Sequence, residues 1–352
     1  MALGGGTIKT TTFPGSYINF VPVKASSNVT INDRGIVAMC VELPTATPTN
    51  VVECSVTDFY GANKPLGTAS TEASMWMFHE IFKHATKVIV YNLANEGATL
   101  EAGLTALESY EFNVIVTAST TDTEVNAIIA KVKDWRDNIG KKVQVVYHAD
   151  SGVVNANHIG AVCVATKAIV AEGSSHTAAS PVYWVAGAMA GCPIYKSCTN
   201  MLYDGDLTLD VAHSQAELQD YIDNGQIAFH LVYGDVRLLE DVNTLKDVSD
   251  KQSEDFKYNQ TIRVIDQIAN DISYLFCTKY LGRIQNTASG RVSLWSDIVS
   301  HHKKLETMGA IENFKSENVV VQLGDSLRSV VVQDSISIVG TMSQLFMTVV
   351  LE

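Results

Sequence analysis

Charge, proline and paired cysteines are what this 352-residue sequence has little of: 18% of its residues are charged and proline occurs seven times. A disordered chain needs many charges and few apolar groups, and a hydrophobic content of 46% excludes one. Basic residues are the minority, 25 against 38 acidic, and the net charge of −13 has the wrong sign for a general nucleic-acid binder. The six cysteines, Cys40, Cys54, Cys163, Cys192, Cys198 and Cys277, include no CxxC pair of the kind zinc sites use. Cys163, within Ala161-Val162-Cys163-Val164, typifies their apolar settings, so reduced core thiols are expected. No apolar run approaches the roughly 20 residues of a membrane helix, which argues against direct membrane insertion. Met1-Ala2-Leu3-Gly4-Gly5-Gly6 has neither the basic start nor the apolar stretch of a signal peptide, so a soluble product of the cytoplasm is expected.

Catalytic signatures are missing as well. The sequence contains no Gly-x-Ser-x-Gly elbow, no phosphate loop and no Gly-x-Gly-x-x-Gly turn. Asp150-Ser151-Gly152-Val153 resembles the aspartate segment of subtilases, but a triad also needs a base and an activated serine. His158 follows after only eight residues, and Gly173-Ser174-Ser175-His176 has the wrong context; Asp-Ser-Gly is also an ordinary loop opener. For metals, His79 and His84 are five apart, a spacing that does not stack them on one helical face, and Tyr203-Asp204-Gly205-Asp206 reads as a turn. No catalytic residue, metal or cofactor is expected.

Regular structure is abundant. Apolar β-branched runs predict strands over 35–41, 87–91, 112–116 and 143–147. Helical spacing over 71–84 puts Met75, Phe78, Ile81 and Phe82 on one side. Thr121 and Glu124 form a capping-box pattern before a helix whose inner face carries Val125, Ile128, Ile129, Val132, Trp135 and Ile139, and Gly140 suits its end. Strand 112–116, this helix and strand 143–147 make a β-α-β unit, hence a partly parallel sheet. Residues 159–172 are apolar enough to be a buried strand or helix, and Ser180-Pro181 opens a short helix to about 190. Ser214 and Glu217 repeat the capping box, and 227–231 with 236–239 suggest a hairpin around Gly234-Asp235. Long helices are expected over 255–281 and 294–308, then strands over 319–323, 328–333 and 335–339.

Both termini read as extended arms. Pro14-Gly15 and Pro22 prevent a helix near the start, and a lone strand has no way to bury Phe13, Tyr17, Ile18 and Phe20. Residues 343–351 alternate Leu345, Met347 and Val349 with other positions, so a further strand is predicted there. Unpaired strands of this kind are templates for pairing with another chain. One basic run, His301-His302-Lys303-Lys304, stands out in the acidic background.

The order of several segments resembles the contractile tail sheath proteins of myophages and R-type bacteriocins. These are Gly4-Gly5-Gly6 with Phe13-Pro14-Gly15-Ser16-Tyr17-Ile18, Arg34-Gly35-Ile36-Val37-Ala38 to Pro44, and Ala186-Gly187-Ala188-Met189-Ala190-Gly191 before Ser197-Cys198-Thr199-Asn200. In the C-terminal third they are Asp241-Val242-Asn243-Thr244-Leu245, Ile262-Arg263-Val264-Ile265-Asp266-Gln267-Ile268, Gly282-Arg283-Ile284-Gln285-Asn286 and Gly309-Ala310-Ile311-Glu312-Asn313-Phe314. The resemblance implies a mixed α/β fold: an N-terminal arm (1–24), a non-catalytic subtilisin-like α/β domain (25–205), a C-terminal α+β domain (206–335) and a C-terminal arm strand (336–352). It implies a structural subunit that polymerises with itself around an inner tail tube protein, between baseplate and tail terminator proteins, with strand exchange through the arms. It also suggests that the helix carrying His301, His302, Lys303 and Lys304 faces the tube. The rival readings are an α/β hydrolase-type enzyme, for which the constellation is incomplete, and an inner tube subunit, for which the chain is long.

Overall fold

A computed structural model describes residues 31, 34–149, 156–248 and 253–350. The N-terminal arm with Phe13, Tyr17, Ile18 and Phe20 lies outside the described residues, as does Asp150-Ser151-Gly152.

Seven strands form the main sheet: β1 (Ile36–Val41), β2 (Val51–Ser55), β3 (Lys87–Asn92), β4 (Val114–Val116), β5 (Gln144–His148), β6 (Ala161–Val164) and β7 (Gln226–Ile227). Their order is β2-β3-β1-β4-β5-β6-β7, parallel throughout except for β2 at one edge. β7 lies beyond residue 205, so the sheet runs past the boundary expected from sequence.

Alternation along the strands sorts side chains between two faces. Val37, Met39, Val88, Val90, Val114, Val116 and Val146 point to one core. Ala38, Ile89, Ile115, Val145 and Tyr147 point to the other. The helices that follow in chain order are α1 (Val56–Phe59), α2 (Trp76–Phe82), α3 (Leu100–Leu107), α4 (Asp122–Asp134), α5 (Val182–Gly191) and α6 (Gln215–Asp223). Helices α2 and α5 cover the first face, while α3 and α4 cover the second. Parallel strands buried on both sides explain why their sequences read as continuous apolar runs. Helix α5 is buried all round, and it reaches α2 so closely that a Cβ on Gly187 would sit 2.4 Å from the Ile81 carbonyl oxygen.

Two caps separate pattern from outcome. At α6 the box forms as expected, Ser214 Oγ accepting from Glu217 N–H while the Glu217 carboxylate accepts from Ser214 N–H. At α4 it does not: Thr121 makes no side-chain cap, and Glu124 instead accepts from Ser119 Oγ at 2.6 Å. Ser119 lies two residues upstream and takes the carboxylate first.

The C-terminal part contains α7 (Asn259–Leu275), continued by a wide turn to Tyr280, and α8 (Ala288–Thr307). Before them, β8 (Phe229–Val232) and β9 (Asp235–Leu238) form the expected hairpin. After them, β10 (Ile311–Glu312) pairs with β13 (Ser337–Ile338), and β11 (Val320–Leu323) pairs with β12 (Val330–Gln333). Helix α7 is the joint between the two parts. Ile268 and Val264 pack with Leu305 and Ile311 of the C-terminal core. Its polar side is buried too: Arg136 Nη1 and Nη2 donate to Asp266 at 2.6 and 2.8 Å, and Arg263 Nη2 donates to Asp241 at 3.1 Å. Both guanidinium–carboxylate pairs are almost fully excluded from water. Removing either partner of such a pair strands a buried charge.

Candidate assembly surfaces

The C-terminal segment is the most exposed apolar feature among the described residues. Its root is held: Val339 N–H donates to Ala310 O at 3.1 Å, Gln260 Nε2 to Val339 O at 3.0 Å, and Thr341 N–H to Gln260 Oε1 at 3.0 Å. Past this clamp every residue of 342–350 is exposed and none is in a strand. Leu345 is 85% exposed, Phe346 89%, Met347 76% and Val349 68%. Of the strand predicted over 343–351, residues 343–350 are therefore not in a strand within the single chain. A strand needs a ladder partner, and among the described residues 342–350 have none.

The β11–β12 hairpin is a two-stranded sheet in which, among the described residues, neither strand has a second partner. Its underside packs on α8, with Val319, Val321 and Val330 against Leu294, Trp295, Ile298 and Val299. Leu323, Val331 and Val332 are exposed on it, as is Leu327 at the turn. Asn286 Nδ2 holds that turn by donating to Leu327 O at 3.1 Å and Ser329 O at 2.8 Å. A groove of about 250 Å³ lies alongside, lined by Phe276, Tyr280, Arg291, Leu294, Leu327 and Val330.

The run His301-His302-Lys303-Lys304 does not form one basic face. Lys303 and Lys304 are exposed, but His301 and His302 are fully buried. His301 Nε2 faces Asp271 Oδ2 of α7 at 2.8 Å, and His302 Nε2 faces Asp334 Oδ2, between β12 and β13, at 2.7 Å. The two rings meet through their Nδ1 atoms at 3.0 Å. Three hydrogen bonds need three ring protons, one more than two neutral imidazoles carry. Burial lowers the pKa of His301, while Asp271 pulls the other way. The pair is an interior tie from α7 through α8 to the strand that leads into the C-terminal segment. Local sequence gave no hint of it, since the carboxylate partners lie 30 and 32 residues away.

The residues weighed for catalysis have structural employment. His158 Nε2 faces Asp137 at 3.3 Å, and its Nδ1 accepts from Gly160 N–H. His176 meets Trp76 edge-on, 4.4 Å between ring centres. His79 lies 3.1 Å from the Tyr60 hydroxyl and 2.8 Å from Ser70 O. Asp204 accepts from Trp184 Nε1 at 2.8 Å and faces His84 at 3.1 Å, while Glu80 of α2 accepts from the Tyr203 hydroxyl and Asp206 N–H, so 203–206 is fastened to α2 and α5. Among the described residues no cluster of His, Cys, Asp and Glu has the form of a metal site, and no helix is long and apolar enough to cross a membrane.

Comparison with known proteins matches this architecture to one family. Residues 94–244 match the phage tail sheath protein central domain, and 251–352 the phage tail sheath C-terminal domain. The chain is 24% identical over 236 residues to the tail sheath protein of Clostridium phage phiCD119, an alignment covering 66% of this chain and 64% of that one. It is 29% identical over 179 residues to the uncharacterized protein YqbK of Bacillus subtilis, covering 50% of this chain and 38% of the relative. The chain thus spans less than two thirds of these relatives' length. The fold is similar to that of the sheath tail protein from Listeria innocua (TM-score 0.77, 20% identity, 89% of this chain and 94% of that one). It also resembles the anti-feeding prophage helical sheath in the contracted state (TM-score 0.70, 14% identity, 97% and 100% covered). The order of domains, the mixed α/β body and these matches agree: the chain belongs to the phage tail sheath family, a family of structural subunits and not of enzymes.

Proposed function

We propose that this chain polymerises into a helical sheath around an inner tail tube, and that its contraction drives the tube through a bacterial envelope. The observation that carries the reading is the C-terminal segment, clamped at Gln260 and then wholly exposed with an apolar sequence. Such a segment stays in water only at a cost of about 25 cal/mol per Å² of apolar surface, which an edge on a neighbouring copy relieves. The unpaired edges of β11 and β12 suit it, since each offers free backbone groups beside exposed Leu323, Val331 and Val332. The contact is head-to-tail, and a head-to-tail contact whose rotation does not close builds a helix. The N-terminal arm, through Phe13, Tyr17, Ile18 and Phe20, makes a second link of the same kind. Baseplate and tail terminator proteins bound the two ends of the sheath, and the chain is made in the bacterial cytoplasm before release of the particle.

The contact with the inner tube is assigned to Lys303 and Lys304 at the end of α8, now without the two histidines. An acidic tube is the matching partner for a lysine pair on a chain of net charge −13. Electron microscopy of the chain co-expressed with its inner tube protein tests both parts. Hollow decorated tubes are expected for the parent, and bare inner tubes for the Lys303→Glu/Lys304→Glu variant. Decoration that survives the charge reversal removes the lysines from the tube contact, and a parent that never decorates overturns the sheath reading.

A further inference from the structure

The tip of the β8–β9 hairpin carries a side chain that the hairpin itself does not need. Val232 pairs with Asp235, so Tyr233 and Gly234 make a two-residue turn, with φ of 51° and 94°. Two left-handed residues in succession are what a type I′ turn requires, and its first position favours Asn, Asp or Gly. A bulky aromatic residue there is strained, because its Cβ crowds the backbone. Tyr233 is also fully exposed, so among the described residues nothing packs on the ring to offset that strain. Leu231 on the same hairpin and Leu202 beside it are exposed as well.

The support under this tip is firm. Tyr203 N–H donates to Val236 O at 2.9 Å and Leu238 N–H to Met201 O at 3.0 Å, so residues 201–203 run along β9. Arg237 Nη1 donates to Asn200 O at 3.1 Å and Nη2 to Asp235 Oδ2 at 2.8 Å, and Phe229 at the root is buried in the main core. An aromatic side chain on a rigid support loses little freedom on binding, which is what an interface anchor requires.

A receptor of matching size and charge lies in the C-terminal part. The groove of about 250 Å³ beside Leu327 has room for one aromatic side chain. Phe276 and Tyr280 form its aromatic wall, their rings 12° from parallel. Arg291 and Arg328 also line it, and among the described residues no carboxylate does. The hairpin brings the complement, a phenol hydroxyl and the half-exposed carboxylate of Asp235. Acidic residues far outnumber basic ones over 1–250 and nearly balance them over 251–352, so the body of one copy is drawn to the C-terminal part of another.

We propose that Tyr233 is an anchor that enters the Phe276–Tyr280 groove of a second copy of this chain, with Asp235 facing Arg291 and Arg328 there. The contact runs from the tip of one copy to the groove of the next, so it is head-to-tail and propagates along a polymer. It is separate from the β11 and β12 edges assigned to the C-terminal segment, and it rests on the reading of this chain as a self-assembling subunit.

The full-length chain with the photo-crosslinker p-benzoylphenylalanine in place of Tyr233 tests it, irradiated in tubes assembled on the inner tube protein and in concentrated solution without that protein. A covalent dimer is expected, position 233 being linked to a peptide that contains Phe276, Arg291 or Leu327. A link to the inner tube protein, a link elsewhere on a second copy, or tubes without any link overturns the pairing. Groove-linked dimers in solution, with no tubes ever formed, uphold the pairing and overturn the sheath reading; neither dimers nor tubes overturns both. Tyr233→Asn gives a second measurement, because Asn suits the turn and removes the ring. Its urea midpoint is expected to equal or exceed the parent's, while self-association by sedimentation weakens about tenfold or more. Undiminished self-association of this variant overturns the proposal.

Discussion

The α/β body and the C-terminal segment use similar apolar residues to opposite ends. In the body, β4 (Val-Ile-Val) has neighbours on both edges and helices over both faces, so its backbone and side chains are all engaged. In residues 342–350, Leu345, Phe346, Met347, Val349 and Val350 have comparable propensity to form a strand, yet all are exposed. What separates them is an edge within reach, not composition. A sequence pattern states that a strand is wanted, and only tertiary placement states which chain supplies the partner.

The largest effect on the single chain is expected inside the body's joint. Arg263→Met leaves Asp241 buried without its counter-charge, with only the neutral donors Cys198 N–H, Ser197 Oγ and Asn259 Nδ2, and removes the donor to Lys196 O. A loss of about 3–5 kcal/mol in urea unfolding is expected, large beside the marginal stability of a domain. A loss below about 1 kcal/mol would mean that water reaches Asp241 and that α7 is a looser joint than drawn here.

A smaller loss is expected at the boundary between the two regions. His302→Ala removes the partner of Asp334 and opens a hydrogen bond of 2.7 Å, for an expected cost of about 2 kcal/mol. The same variant should increase protease cleavage in 335–350, because the root of the segment loses its tie to α8. Unchanged cleavage would place the hold on that root at Gln260, Ala310 and the β10–β13 pairing.

Acid should act on the same tie. The groups facing His301 are Asp271 from α7, His302 beside it on α8 and Asp334 from the β12–β13 link. Folded His301 binds its proton less readily than the unfolded chain does, so its contribution to stability is fully present above the ordinary histidine value of 6.5. That contribution falls as pH drops through the lower folded value, because burial disfavours the charged ring. The urea midpoint of the parent should therefore decline between pH 7 and pH 5 more steeply than that of His301→Gln. Parallel declines would assign the acid sensitivity to other groups.

These regions also differ in how far they could be read from sequence. The strands of the body and helices α2, α4 and α5 were legible because buried parallel strands and amphipathic helices leave unambiguous periods. Strand β2 was not, since Val51–Ser55 carries exposed Glu53 and resembles a loop, and α3 was masked by Gly103 in its middle. On α7 the apolar face was legible, but the buried polar face formed by Arg263, Asp266, Gln267 and Asp271 looks like an ordinary solvent surface until its distant partners are known. The paired histidines failed for the same reason. Residues 343–350 carry the apolar pattern expected of a strand, and without a ladder partner they form none in the single chain.

The most direct test of the account is to delete residues 342–352 and compare the shortened and parent chains by urea unfolding and negative-stain electron microscopy. The account predicts unfolding free energies within about 0.5 kcal/mol of each other, because every residue of 342–350 is exposed in its own chain. It also predicts tubes from the parent, assembled on the inner tube protein, and only monomers from the shortened chain. Tubes of normal length from the shortened chain, or a large loss of stability on deletion, would contradict it.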